Sequence, residues 1–369
     1  MADLATTITV IDACGLAHVP VLLLSGPGQG KSSLIRGLAA AQGVPCEIVL
    51  GSQYEPAELV GQPYLAADGS GVRREPPSWA KRLSESSCGY VFLDELTTVP
   101  ESVQGPMLTV ALDRIVGDLV LPDAVRVVAG ANPPDQAAGG YDLSAPLANR
   151  FCHVAYTPTV QDWLVGTAGR WKATPATRAV SASTERKSAT LSAVMGFINA
   201  RPDLLDKMPE SPEERGGAWP SRRTWTMLAD VLAQLRANDL AAIETAVTGL
   251  VGEGAGIEFL SWLQHADLPD PEAVTADPSI VEWAKERQDR VWAILQGVVT
   301  LAAERGTTDA FRAAWKPLGA AADAGVADMA AAAARTLATF RPVNVRIPAE
   351  MRKFEPMLRS AGLLGEDAA

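Results

Sequence analysis

Nine residues, Ser25-Gly26-Pro27-Gly28-Gln29-Gly30-Lys31-Ser32-Ser33, stand between an apolar run at 21–24 and a helix-compatible segment at 34–41. A continuous run of Val and Leu reads as a strand buried on both faces, and such strands belong to parallel sheets. The glycine-rich turn after it brings amide hydrogens to a helix N-terminus, where an anion is favoured. In such a loop Gly28 and Gly30 let the backbone approach phosphate oxygens, Lys31 reaches the terminal phosphates, and the Ser32 hydroxyl is placed to ligate magnesium. The pattern G-x-x-x-x-G-K-[ST] is met at three of its four specified positions, with Ser25 in place of the first glycine. The Cβ of Ser25 is expected where an unusual backbone angle is needed.

Two further strand-like runs end in polar residues. Tyr90-Val91-Phe92-Leu93 leads into Asp94-Glu95. Adjacent carboxylates at the end of a buried strand are costly to desolvate unless they have a task. Behind a phosphate loop, Asp94 is placed to hold magnesium beside Ser32, and Glu95 to polarise a water that attacks the terminal phosphate. The run 125–131 ends on Asn132, which either hydrogen-bonds that water or phosphate or caps the following loop as an Asx turn. A short helix then ends at Asn149-Arg150-Phe151, before a strand at 153–156.

Composition narrows the partners. The 369 residues carry 43 acids against 32 bases, a net charge of −11, which disfavours a nucleic-acid motor because phosphate contacts need clustered cations. Apolar residues make up 47% of the chain, the mark of an ordered globular protein, and no run of eighteen apolar residues predicts a membrane span. The N-terminus has no basic leader, and Cys14, Cys46, Cys88 and Cys152 lack metal-type spacing, so a cytoplasmic location with inert thiols is expected.

Phosphate loop, Asp94-Glu95, the Asn132 strand tip and Asn149-Arg150-Phe151 occur in the order shown by AAA+ ATPases, and the chain resembles their MoxR branch. The span 103–117 with Leu121-Pro122 is similar to the hairpin inserted there in MoxR-like proteins. Ala131-Asn132-Pro133 resembles their Asn-Pro signature, and Tyr141-Asp142-Leu143-Ser144 is similar as well. The resemblance covers residues 15 to about 230 and implies an α/β, parallel-sheet P-loop NTPase (AAA+) core with an α-helical lid and a C-terminal helical extension. It implies ATP and Mg2+ as ligands, with residues 25–33 as the nucleotide loop, Ser32 and Asp94 at the metal, Glu95 as the catalytic carboxylate and Asn132 as first sensor. Arg150 would be an arginine finger acting on a neighbouring subunit's nucleotide, worth about 10³ to 10⁵ in rate. A homo-oligomeric ring, usually a hexamer, follows. Trp219-Pro220-Ser221-Arg222-Arg223 resembles the second sensor; the family's proline stands where Arg222 is, which leaves Arg223 for that role, with Ser221 as helix cap and Trp225 packed into the lid.

The expected domains are 1–155 as nucleotide-binding core, 156–268 as helical lid and 269–369 as extension, with helices near 188–200, 225–235, 279–305, 308–315, 326–340 and 344–364. Residues 51–64 read as a polar, glycine-containing loop. In ring ATPases loops of this region face the pore, but a tyrosine beside proline, as Tyr64 is, more often packs half-buried. The resemblance implies remodelling of a protein partner, including one bearing a von Willebrand factor A domain. A metal-chelatase-type motor subunit and a nucleotide-gated scaffold with little turnover are the other readings.

Overall fold

The computed structural model describes residues 3–69, 71–133, 143–168, 177–342 and 345–363. Tyr141 and Asp142 lie outside these residues. The strands are β1 (Val21–Leu24), β2 (Cys46–Leu50), β3 (Gln62–Leu65), β4 (Val72–Glu75), β5 (Cys88–Asp94), β6 (Ile115–Val116), β7 (Leu119–Val120), β8 (Ala124–Ala131) and β9 (Cys152–Ala155). Five of them form one sheet in the order β2-β5-β8-β1-β9, with every pairing parallel. The apolar runs of β1, β5 and β8 occupy its interior, as strands covered on both faces must. Register brings the strand tips level: Leu24 pairs with Ala131, Leu50 with Asp94 and Leu93 with Ala129. The residues that follow, Ser25, Glu95 and Asn132, therefore emerge along one carboxyl edge, where open α/β sheets bind ligands.

The first helices are α1 (Leu4–Leu16), α2 (Lys31–Gln42), α3 (Pro56–Val60), α4 (Ser78–Ser86), α5 (Glu101–Leu112), α6 (Ala145–Ala148) and α7 (Val160–Ala168). Leu22, Val91, Leu93, Ala129 and Met107 share a fully buried core with Trp79, Leu83 and Phe151. At the opposite edge of the sheet, buried Asp12 of α1 pairs with Arg126 of β8 and accepts from the Tyr90 hydroxyl at 3.0 Å, while that hydroxyl also meets Gln42 at 3.1 Å. Removing one member of such a buried pair strands a charge, so the network holds α1 and α2 in place against the strands.

The remaining helices are α8 (Thr184–Ala200), α9 (Pro212–Arg215), α10 (Arg222–Ala233), α11 (Leu240–Ala266), α12 (Pro271–Ala276), α13 (Gln288–Arg305), α14 (Thr308–Asp323), α15 (Ala327–Thr339) and α16 (Glu355–Ser360). Contacts divide the chain into two compact units, one of residues 1–181 with 206–256 and one of 182–205 with 257–369. This division passes through the stretch read from sequence as the lid. Among the described residues the second unit's regular elements are all helices, and it is built on Trp315, Leu295, Leu318 and Leu337, each buried.

Four expectations are corrected. The helix expected over 279–305 begins at Gln288, because Trp283 turns inward, is 5% exposed and donates its indole N–H to Pro278 O at 3.0 Å. The last helix, expected over 344–364, is a 3-10 turn at Glu350–Phe354 followed by α16; positions 344 and 364 themselves lie outside the described residues. The loop expected over 51–64 holds the 3-10 turn Gly51–Gln53, then α3, which starts on Pro56 with Glu55 and Glu58 as a capping box, and then β3, which pairs antiparallel with β4. Tyr64 on that hairpin is 43% exposed and so is not packed as expected.

Among the described residues one helix meets the length and composition of a membrane span although the sequence has no run of eighteen apolar residues: α11, with a mean hydropathy of 1.2 over an 18-residue window. Its geometry breaks at Gly252, where φ is 78° and ψ 165°. The two straight pieces are then about 18 and 21 Å long, well short of a hydrocarbon core of about 30 Å. Among the described residues no cluster of metal-ligating side chains occurs, and all four cysteines are free.

Candidate functional site

β1 hands the chain to the loop 25–30, and α2 starts on Lys31 with Gly30 as its N-cap. Two residues of the loop need the left-handed region: Gly28 at φ 75° and Gly30 at φ 86°. A Cβ at either would be strained, although neither has a neighbour within 4 Å that it would strike. Ser25 is not among the residues of positive φ. The strain expected there is absent, because the turn takes its unusual angles three and five residues later.

Ser25 has a role of its own. It is 4% exposed, and Lys31, 9% exposed, donates its ammonium to Ser25 O at 2.9 Å, Ser25 Oγ at 3.2 Å and Gly26 O at 3.4 Å. The same ammonium donates to Asn132 Oδ1 at 3.0 Å. Burial lowers the Lys31 pKa, against the opposing charge of Asp94. The side-chain oxygen of Asn132 thus faces Lys31, across the gap between the tips of β8 and β1.

The metal-type pair is in contact: Ser32 Oγ donates to Asp94 Oδ2 at 2.7 Å. The other Asp94 oxygen accepts from the Glu95 amide at 3.0 Å. Gly130 of β8 makes room for this carboxylate, since a Cβ there would lie 2.9 Å from Asp94 Oδ1 and 2.7 Å from Phe92 Cζ. Glu95 stands at φ 62°, a conformation that non-glycine residues rarely adopt. Its Oε2 accepts from Ser52 Oγ at 2.7 Å. Ser52 was not singled out by sequence. The signal lay in strand pairing: β2 adjoins β5, and Leu50 is level with Asp94, so a residue just past β2 comes beside Glu95.

Lys31, Ser32, Asp94, Glu95 and Asn132 line one cleft of about 400 Å³, bounded by residues 27–33, Asp94, Glu95 and 130–132. A buried ammonium, a left-handed glycine loop at a helix N-terminus and a hydroxyl–carboxylate pair form a donor set that fits a polyphosphate and a hard divalent cation. Arg150 and Arg223 are not in this cleft. Arg150 is half-buried, and among the described residues its guanidinium has no hydrogen bond or ion pair. Its neighbour Asn149 is tightly held, donating to Trp219 O at 3.0 Å and accepting from Ser221 Oγ at 2.7 Å. Ser221 caps α10 by accepting from Thr224 N, and Trp225 is 2% exposed. Arg222 is committed to Asp206 at 2.8 Å, whereas Arg223 is exposed and without a partner among the described residues.

Residues 20–151 match the family described as AAA domain, dynein-related subfamily, and the five-stranded parallel sheet with its helices has the AAA+ fold. A Midasin from Giardia intestinalis is 28% identical over 174 residues, 42% of this chain; the match spans only 4% of the Midasin's own length. A solved structure from Cytophaga hutchinsonii, provisionally assigned as an ATPase, is similar at a TM-score of 0.41 and 16% identity over 70% of this chain and 81% of that one. NtrX from Brucella abortus gives a TM-score of 0.27 and 16% identity over 82% and 63%. At these scores the likeness says nothing about site or partner.

Proposed function

We propose that this chain, with its AAA domain at 20–151, is a MoxR-like ATPase that hydrolyses ATP in a homo-oligomeric ring and uses the cycle to remodel a protein partner in the cytoplasm. The observation that carries the reading is the convergence of Lys31, Ser32, Asp94, Glu95 and Asn132 on one cleft at the carboxyl edge of the sheet.

Each residue has a physical task. Lys31 exchanges Ser25 and Asn132 for phosphate oxygens, a move favoured because its ammonium is already desolvated. Ser32 and Asp94 would hold Mg2+, which neutralises phosphate charge when bound. Glu95 orients a water and takes its proton, and Asn132, released by Lys31, fixes that water or the terminal phosphate. Arg150, without a partner among the described residues and beside the anchored Asn149, is the arginine-finger candidate for a neighbouring subunit in a hexameric ring. Arg223 is the second-sensor candidate, since Arg222 is held by Asp206. Residues 1–155 act as core, 156–268 as lid and 269–369 as extension in this scheme, and a von Willebrand factor A protein is the partner class. The retention of Glu95 in a strained conformation favours turnover over a passive nucleotide-gated scaffold.

Phosphate release from the assembled, ATP-saturated chain tests the reading. Glu95→Gln should keep ATP bound and lose turnover, by about 10² to 10⁴ if Glu95 moves the proton. Equal rates for the wild type and Glu95→Gln would refute hydrolysis. Mixed assemblies of Arg150→Ala and Lys31→Ala chains should regain part of the activity at hybrid interfaces, and no recovery at any ratio would remove the trans finger.

A further inference from the structure

An apolar helix that buries almost nothing stands beside the phosphate loop. α7 reads Val-Gln-Asp-Trp-Leu-Val-Gly-Thr-Ala, and Gly166 is its one buried residue. Val160 is 77% exposed and Trp163 56%. Grouped apolar surface of this kind normally has a ligand or partner against it.

A second cleft shows what Val160 and Trp163 face. It measures about 480 Å³, with loop residues 28–30 and Ser33 on one wall and Pro158, Val160 and Trp163 on the other. The same loop residues line the phosphate cleft, so the two hollows share the loop as a wall.

The side chains of this cleft offer planes and few readers. The Thr159 hydroxyl donates to Asp162 Oδ2 at 2.7 Å and accepts from Asp162 N at 3.1 Å, so it is occupied. Gln29 and Ser33 are exposed to water. A site that reads a base through buried hydrogen bonds rejects the wrong one by about 10⁴ to 10⁵, because the wrong base leaves those groups unpaired. A stacking plane has no such means, since every base presents a π face.

We propose that the second cleft holds the nucleotide's base by stacking on Trp163, and that the chain consequently takes adenine and guanine nucleotides with little preference. The inference rests on the reading of the first cleft as the phosphate site. Isothermal titration of the full chain with ATP, GTP and inorganic tripolyphosphate tests it. In the wild type the ATP and GTP dissociation constants should agree within about tenfold, as a site without hydrogen-bond readout allows. Trp163→Ala should weaken both nucleotides by about ten- to a hundredfold, the worth of one stacked base, and leave tripolyphosphate unmoved. Trp163→Phe should keep most of the affinity. GTP binding more than about a thousandfold weaker than ATP would overturn the proposal, since stacking alone cannot discriminate so far. So would unmoved nucleotide affinities in Trp163→Ala, the result expected if Trp163 covers a neighbouring subunit instead. If tripolyphosphate still binds in that case, the phosphate site stands and the base assignment alone fails. A wild type that binds none of the three ligands removes both.

Discussion

Restoring the glycine of the phosphate-loop pattern, by Ser25→Gly, should weaken the free protein and tighten its grip on nucleotide. Lys31 offers three protons to four oxygens, and Ser25 Oγ at 3.2 Å is the third closest of them. Deleting it leaves three acceptors for three protons, so no buried ammonium hydrogen is stranded. The loss is then at the low end for a hydrogen bond, about 0.5–1 kcal/mol. Glycine adds a further backbone entropy cost of about 0.5–1 kcal/mol, since position 25 does not need a left-handed angle. Without nucleotide, unfolding stability should fall by about 1–2 kcal/mol.

Binding responds to only one of those two effects. When Lys31 turns to phosphate, the wild type gives up the Ser25 Oγ contact and the variant has none to give up. The glycine entropy acts on the unfolded chain and cancels between free and bound protein. Affinity for ATP should rise by the hydrogen-bond share alone, about two- to fivefold. Urea unfolding of the free chain and calorimetric titration with ATP and magnesium measure the two quantities. Weaker binding by Ser25→Gly would mean that the hydroxyl contacts the nucleotide instead of competing with it. A gain in stability would mean that position 25 does need the freedom of glycine, and either result refutes the reasoning.

Gly130→Ala forces a Cβ to within 2.9 Å of Asp94 Oδ1 and should cost about 1–3 kcal/mol of stability along with most of the magnesium-dependent phosphate release; an active, stable variant would show that Asp94 need not be where it stands. Ser52→Ala frees the Glu95 carboxylate from its 2.7 Å bond and should raise basal phosphate release about two- to fivefold, the return of roughly 0.5–1 kcal/mol, with ATP affinity unchanged. A fall in turnover would instead make Ser52 a group that holds Glu95 in its working position. Burial lowers the Lys31 pKa below its ordinary 10.5, so in the alkaline window the unfolded chain binds more protons than the folded one. Stability of the wild type relative to Lys31→Met should therefore rise with pH, from the lowered folded value up to about 10.5, and below that window the desolvation penalty stands in full. Denaturant midpoints across the alkaline range check this, and a flat or falling difference would place the ammonium in water.

Legibility in the sequence followed the local nature of each feature. The run Val21 to Leu24, the loop after it and the acids after Leu93 are contiguous signals, and each appears as a strand tip on the carboxyl edge. Ser52 escaped because its partner is 43 residues away and only the adjacency of β2 and β5 brings them together. The β3–β4 hairpin escaped because its strands are exposed along their whole length, so no alternation of polar and apolar residues marks a buried face. Trp283 broke an otherwise helical pattern because tertiary burial of one large ring outweighed the propensity of its neighbours. Within the site, the motif places its first glycine at Ser25, but the positive angles fall at Gly28 and Gly30, which a residue-by-residue pattern does not show.

The backbone angles at Ser25 and Glu95 explain each other. A left-handed residue was expected at the start of the loop, where the structure has an ordinary one; among the residues lining the cleft, the one of positive φ that carries a side chain is Glu95, at φ 62°. That conformation costs roughly 1–2 kcal/mol and persists only where the surroundings over-determine it. They do: the Glu95 amide donates to Asp94 Oδ1 at 3.0 Å, Leu96 N donates to Gly130 O at 3.0 Å, and Thr98 Oγ1 donates to Glu95 O at 2.9 Å. Glycine at 95 would relieve the strain and delete the carboxylate, so a sequence selected for stability alone would not keep glutamate there. Gly28 and Gly30 take the same kind of angle without a side chain, because what they present to a ligand is backbone. The chain therefore places glycine where backbone amides line the cleft and accepts strain where a carboxylate lines it.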